Sequence, residues 1–289
     1  MKLITLDLGG TTVAARVDGD SYVEITGHRD VGSLLAHEEW RSIAAAADGA
    51  RHAAGGVRRA MLGASPSKIM CVGLNYRGHI EEMGRELPEY PTVFAKFPDT
   101  LCGPDDPVIA VKDDPALDWE GELVVVIGKT VYREGEAAAA AAIAGYTIAN
   151  DISMRSWQYR SQEWLQGKIW ARSTPVGPVL VTPDEFDTST AVLRTTVNGE
   201  VMQSHAVADL LFSPARLVSY LSTMVPLRPG DLILTGTPGG VGRAMTPPRY
   251  LTAGDTVEVS IDGIGSLRNE VVAESPQHVA DLRRVLLRV

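Results

Sequence analysis

Positive charge is in short supply in this chain. It carries 27 Lys and Arg against 36 Asp and Glu, a net charge of −9 at pH 7. A phosphate backbone is gripped by a basic face, so this balance argues against a nucleic-acid partner. Cysteine is nearly absent. Cys71 and Cys102 are the only two in 289 residues, and neither belongs to a C-x-x-C pair. That argues against a disulfide framework or a cysteine zinc cluster and points to a reducing cytoplasm. No stretch reaches the roughly 18 uninterrupted apolar residues of a membrane span. The opening "MKLITLDLGG" lacks the pattern of a cleavable signal. What is present is ordinary for a globular chain, 45% hydrophobic and 22% charged. That length and composition suffice for a sizeable core.

Two textures follow one another along the chain. Residues 1–65 read as short strands joined by Gly and Asp turns, then an alanine-rich, helix-favouring stretch over 31–56. Pro66 in "LGASPSK" marks a linker, which predicts a small N-terminal α/β domain over 1–65 and a larger domain over 66–289. The larger part reads mostly as strands: 68–74, 122–128, 146–151 and 231–237. Asn198-Gly199 suits a type I′ hairpin turn within 193–204. Ser213 and Pro214 suit the N-cap and first position of a helix over 213–224. A short helix is predicted in "EGEAAAAAAIAGY" and another over 154–165. The pattern is not a regular βαβ alternation, so a mixed, mostly β core of the α+β class is expected.

The stretch "LDWEGELVVVIG" (117–128) sets Glu120 and Glu122 one residue apart before a valine-rich run. On a strand the two side chains point the same way; on a helix they diverge by about 200°. Two carboxylates on one face repel unless one is protonated or a cation lies between them. Carboxylate oxygens are hard ligands, suited to Mg²⁺, Ca²⁺ or Mn²⁺. Asp151, closing the apolar strand "YTIAN", is the natural third ligand. The plain alternative for E-x-E is a solvated strand face, which the apolar run behind it disfavours.

Several segments in fixed order, "VGLNYRGHIEEMG", "PTVFAKFPDTLCGP", "LDWEGELVVVIGK", "GYTIANDISMRSWQ", "STPVGPVLVT", "VNGEVMQ" and "PLRPGDLILTGTPGGVG", together resemble the fumarylacetoacetate hydrolase family from about residue 66 to about 270. The resemblance implies a mixed β-roll or flattened barrel, a homodimer, and Mg²⁺ or Mn²⁺ on Glu120, Glu122 and Asp151. It implies a small dicarboxylic or 2-oxo acid substrate. By position it assigns His79 and Glu82 to a catalytic dyad on a lid, and Lys168 to the catalytic centre. It gives Arg155, Gln158 and Thr237 to substrate binding. His79 and Glu82 are spaced i, i+3, so one face of a short helix would carry both. Two positions depart from the family: Ala171 stands where an aspartate is usual after the lysine, and Gly78 where an aspartate often precedes the histidine.

Such a site would hydrolyse the C–C bond of a 2,4-dioxo acid such as an acylpyruvate or fumarylpyruvate, with a stabilised enolate leaving. Decarboxylation, isomerisation or dehydration of a 2-oxo acid follows from the same enolate. A catalytically silent metal-binding homologue is the rival from another class. "LDLGGTT" (6–12) resembles a phosphate loop of sugar kinases, but no second loop follows, so a hairpin turn is expected. "GTPGGVG" lacks the GK[ST] ending of a P-loop. "LRRVLLRV" at the C-terminus is expected to pack against the body as a short amphipathic helix.

Overall fold

The computed structural model describes residues 1–63, 65–82, 84 and 86–286, without the side chains of His79, Glu82, Asp281 and residues 284–286. The valine-rich run explains the architecture. Strand Gly121–Ile127 is buried at every residue, and so are its neighbours Ile143–Asn150 and Thr174–Val181. Such a strand needs cover on both faces, and β-branched residues suit a pleated, crowded surface. One face presents Leu123, Val125 and Ile127 to a core shared with Leu193, Val259, Ile261 and Leu267 of a second sheet. The other presents Val124 and Val126 to a core shared with Leu34, Leu35, Trp40 and Ala44 of the N-terminal helices. The alternation is the period of two that any strand imposes.

Among the described residues the large sheet has twelve strands. Its path runs Arg51–Ala53, Ser21–Glu24, Thr12–Asp18, Lys2–Asp7, Thr174–Val181, Ile143–Asn150, Gly121–Ile127, Leu232–Leu234, Ile69–Gly73 and Thr92–Lys96. Arg58–Ala60 pairs off this path with Lys2–Asp7, and Leu101–Cys102 with Thr174–Val181. Most pairings are antiparallel, but Leu232–Leu234 runs parallel to Ile69–Gly73. The second sheet orders Glu200–Ala206, Val192–Val197, Thr256–Ile261, Gly265–Ala273 and Val108–Ala110. The mostly β, mixed-sheet expectation holds, and the sheets are open rather than closed into a barrel. The N-terminal strands are continuous with the large sheet, because Lys2 and Leu3 pair with Val181 and Leu180.

Local chemistry explains several elements. Asn198 and Gly199 take positive φ values of 53° and 82° in the hairpin between Val192–Val197 and Glu200–Ala206, the I′ geometry. Ser213 accepts from the Arg216 backbone N–H, and Pro214 opens helix Pro214–Met224. "LDLGGTT" forms the turn between Lys2–Asp7 and Thr12–Asp18, with the Asp7 carboxylate accepting from the N–H groups of Gly9 and Gly10. The C-terminal helix spans Pro276–Leu286; the last three residues of "LRRVLLRV" lie outside the described residues.

Two helix expectations need correction. Residues 154–165 do not form one helix. They give the bridge strand Ser153–Met154 and a single turn, Arg155–Gln158; a second turn, Leu165–Lys168, follows. The cause is burial: Arg155 and Lys168 both bring charge into the interior, and separate turns let Arg155 reach Asp118 and Lys168 reach Asp151, with Glu120 shared between them. The alanine-rich stretch is likewise interrupted. Helices Val31–Leu35 and Trp40–Ala45 precede strand Arg51–Ala53, so pairing with Ser21–Glu24 overrides helix propensity there.

Candidate active site

The end of strand Gly121–Ile127 sets the site. Gly121 faces the second sheet so closely that a Cβ there would stand 2.4 Å from Thr195 Oγ1 and 2.9 Å from Val259 Cγ1. Only glycine fits, and its neighbours Glu120 and Glu122 are thereby turned to the opposite face. Asp151 is fixed beside them by the adjacent strand. Its N–H donates to the Glu120 carbonyl at 2.8 Å, while the Glu120 N–H donates to Asn150 Oδ1 at 2.9 Å. Glu120, Glu122 and Asp151 are all buried, and one oxygen from each lies within 4.8 Å of the others.

Cations enter from three other elements. Lys168, closing the turn Leu165–Lys168, places Nζ 2.6 Å from Glu120 Oε2 and 2.8 Å from Asp151 Oδ2. Lys96, ending strand Thr92–Lys96, donates to Asp151 Oδ1. Arg155 donates through Nε to Asp118 Oδ2 at 2.8 Å, lies 2.7 Å from Glu120 Oε1 through Nη2, and donates to Gln158 Oε1 at 2.8 Å. Glu122 differs. Its Oε2 accepts from the Gly236 N–H at 2.6 Å, and Gly236 holds the positive φ of 103° that aims that N–H. Among the described residues no cation lies within ion-pair distance of Glu122.

Protonation follows from these contacts. Burial works against the charge on Lys168, but Asp151 and Glu120 outweigh it and hold the ammonium above the usual lysine range. Burial likewise opposes the Arg155 charge, and Glu120 and Asp118 outweigh it. Burial would raise Asp151, yet Lys168 and Lys96 hold it below the usual carboxylate range. Glu122 is pushed well up by burial, then by Asp151 and Glu120. It is a buried carboxylate without a cation, facing two others. That surplus, the hard oxygen donors and their spacing fit a divalent ion.

The acids open into a cleft of about 520 Å³ whose wall includes Glu120, Glu122, Arg155, Gln158, Lys168 and Thr237. The structure therefore gathers seven of the nine sequence-predicted site residues, since Asp151 sits directly behind Glu120. Thr237 is already engaged, donating to the Gly121 carbonyl at 3.0 Å and accepting from Gln203 Nε2 at 2.9 Å. Its hydroxyl ties the loop to the strand bearing the acids. His79 and Glu82 lie on helix Arg77–Glu82, which follows the cleft-wall residues Val72, Gly73 and Leu74; their side chains lie outside the described residues. The helix is anchored by the buried Asn75, which bonds Phe212 and Thr235, and by Asp209, which accepts from the Gly78 N–H.

Sequence reasoning missed Lys96 and Asp118. Asp118 sits two residues before Glu120, and its carboxylate accepts from the N–H groups of Trp119, Gly242 and Arg243 as well as from Arg155. A readable signal existed for Lys96: a lysine closing the apolar strand "TVFAK" is seldom buried without a carboxylate to meet.

Open mixed β sheets, a cleft at a strand end, and a buried acid triad interlaced with lysine and arginine define a class of metal-competent enzyme sites built on β architecture. The chain belongs to the fumarylacetoacetate hydrolase family: residues 68–272 match the family described as fumarylacetoacetate (FAA) hydrolase C-terminal. It is 44% identical over 211 residues to the oxaloacetate tautomerase YisK of Bacillus subtilis (strain 168), covering 71% of this chain and 70% of that protein. Its fold matches the 5-carboxymethyl-2-hydroxymuconate delta-isomerase of Mycobacterium smegmatis with a TM-score of 0.80 at 34% identity, covering 95% of this chain and 100% of that one. It matches the fumarylacetoacetate hydrolase of Exiguobacterium antarcticum with a TM-score of 0.86 at 33% identity and the same coverage. Relatives thus carry tautomerase, isomerase and hydrolase names alike. Among the described residues no helix is long and apolar enough to cross a membrane.

Proposed function

We propose that this chain catalyses proton transfer beside the carbonyl of a small 2-oxo acid, as an oxaloacetate-type tautomerase or isomerase. The observation that carries the reading is the Lys168 ammonium, buried and held charged between Glu120 and Asp151 at the edge of the cleft. A charged, placed N–H donor lowers the energy of negative charge developing on a substrate oxygen, and in a dry site it does so without reorganising. A divalent cation held by Glu120, Glu122 and Asp151 would add Lewis acidity toward the same oxygen. Arg155, fixed by Asp118 and Gln158, would offset the substrate carboxylate. His79, with Glu82 one helical turn on, would take the proton from carbon. The relatives named as oxaloacetate tautomerases support this choice.

Hydrolysis of the C–C bond in a 2,4-dioxo acid is the second reading, favoured by the i, i+3 spacing of His79 and Glu82 and by the hydrolase among the structural neighbours. There the same base would take its proton from water instead. Both readings include Mg²⁺ or Mn²⁺ and a homodimer, the latter checked by sedimentation equilibrium.

The deciding experiment follows the enol absorbance of oxaloacetate and the diketone absorbance of acetylpyruvate, each with Mg²⁺ and with EDTA. Mg²⁺-dependent acceleration of the first, without release of acetate from the second, is expected. Acetylpyruvate cleavage as the faster reaction selects hydrolysis, and no acceleration of either overturns both readings.

A further inference from the structure

The cations around the acid centre are matched by carboxylates. Lys96 meets Asp151, Lys168 meets Glu120 and Asp151, and Arg155 meets Asp118 and Glu120. One more cation lines the same cleft and is matched by none. Arg243 lies in the loop after Thr237, is exposed, and among the described residues has no carboxylate within ion-pair distance. Its guanidinium stacks on Tyr159, with Cζ 3.7 Å from the ring centroid.

The arrangement is held from both sides. Tyr159 directly follows the turn Arg155–Gln158, which carries two proposed substrate contacts. The Arg243 backbone N–H donates to Asp118 Oδ2 at 3.0 Å, and the neighbouring Gly242 N–H donates to Oδ1 at 2.8 Å. The buried Asp118 also accepts from Arg155. One carboxylate therefore positions both arginines. The ring braces the guanidinium from one side, and among the described residues no hydrogen bond or ion pair engages its N–H groups, which leaves them free to grip a carboxylate through two bonds.

We propose that Arg243, braced on Tyr159, is a specificity-determining residue that binds the far carboxylate of a dicarboxylic 2-oxo acid whose 2-oxo acid head lies at the acid centre. Dicarboxylates are thereby preferred over monocarboxylates of the same length. The inference rests on the 2-oxo acid reading of the cleft, and its test separates the two.

The test uses 2-oxoglutarate and 2-oxovalerate, of equal chain length, which differ by a terminal carboxylate in place of a methyl. Oxalate serves as a probe of the head site alone. All three are titrated calorimetrically into the full chain with Mg²⁺. The native protein is expected to favour 2-oxoglutarate over 2-oxovalerate by about 10-fold or more, the scale of a charge-assisted contact. Arg243→Met keeps the stem but removes the fork, and should bring that ratio close to one. Arg243→Lys should leave an intermediate ratio, and Tyr159→Leu should lower it by freeing the guanidinium. Oxalate binding with an equal ratio in the native protein, or with a ratio that Arg243→Met leaves intact, overturns the proposal while sparing the head site. Failure of oxalate and both oxo acids to bind overturns the 2-oxo acid reading, and this proposal with it.

Discussion

Two buried ionic clusters in this chain look alike and behave oppositely: one is built round a single aspartate, the other round four acids. Asp106 accepts from the Gly103 N–H at 2.8 Å and from Arg172 at 2.7 Å, and it pairs with Arg58 from the N-terminal segment. Its requirements are met by the protein, and despite burial these donors hold it below the usual carboxylate range. At the cleft, Asp118, Glu120 and Asp151 form ion pairs, among the described residues, with Lys96, Arg155 and Lys168; with Glu122 that makes four carboxylates against three paired cations. The surplus falls on Glu122, whose proton affinity is driven up. A saturated cluster joins parts of the fold; a cluster left with excess charge of one sign is built for something brought from outside.

The largest effect should break that contrast at Glu122. Loss of a supporting group near a metal commonly costs 10–100-fold in affinity, so Glu122→Ala, which removes a direct ligand, should weaken Mn²⁺ binding by at least about 100-fold. Electron paramagnetic resonance titration of free Mn²⁺ reads this directly. Asp106→Asn should leave Mn²⁺ affinity unchanged within error. Equal losses in both variants would mean that the two clusters do not differ as claimed.

A somewhat smaller effect concerns stability. Lys168→Met leaves Glu120 and Asp151 short of a buried partner, a change that typically costs roughly 3–5 kcal/mol. In EDTA its thermal midpoint should fall well below that of the native chain. Mg²⁺ should recover more of the loss in the variant than it adds to the native protein, because a bound cation replaces the missing charge. Identical Mg²⁺ increments in both proteins would remove the cation from the acid centre. Glu122→Gln sharpens the point with an opposite sign: near pH 7 and without a metal the folded chain must take up a proton to bury Glu122, and the amide removes that cost, so in EDTA it should raise the midpoint, and in Mg²⁺ lower it.

How much of this was readable in advance depended on the range of the interaction. Glu120, Glu122 and the strand behind them were legible because E-x-E and the valine run are local and share the period of a strand. Asp151 was legible as the residue on which an apolar strand ends. Lys168 and Arg155 came through ordered family motifs, and the structure places both on the acids. The contacts of Lys96 and Asp118 were not legible, since Lys96 reaches Asp151 across 55 residues of chain and Asp118 reaches Arg155 across 37. The two turns in place of one helix over 154–165 have the same origin: long-range ion pairs outweigh local propensity. Arg243 reads as an ordinary loop arginine until the fold sets Tyr159 beneath it.

The smallest effect tests the saturated cluster by acid. An unfolded aspartate titrates near 3.9, and the folded Asp106 titrates lower. Between those two values the unfolded chain binds more protons than the folded one, so stability rises with pH across that window and falls as pH drops through the folded value. Above about pH 5 the contribution is fully present. Arg58 is 60% exposed and Arg172 38% exposed, so solvent screens both pairs, and the contribution is expected to be on the order of 1 kcal/mol. Asp106→Asn should lower the urea midpoint modestly at pH 7, and its stability should decline less steeply than the native protein's below pH 4. Parallel acid limbs in the two proteins would show that the Asp106 contacts carry no charge-dependent stability, and the line drawn between the two clusters would then rest on Glu122 alone.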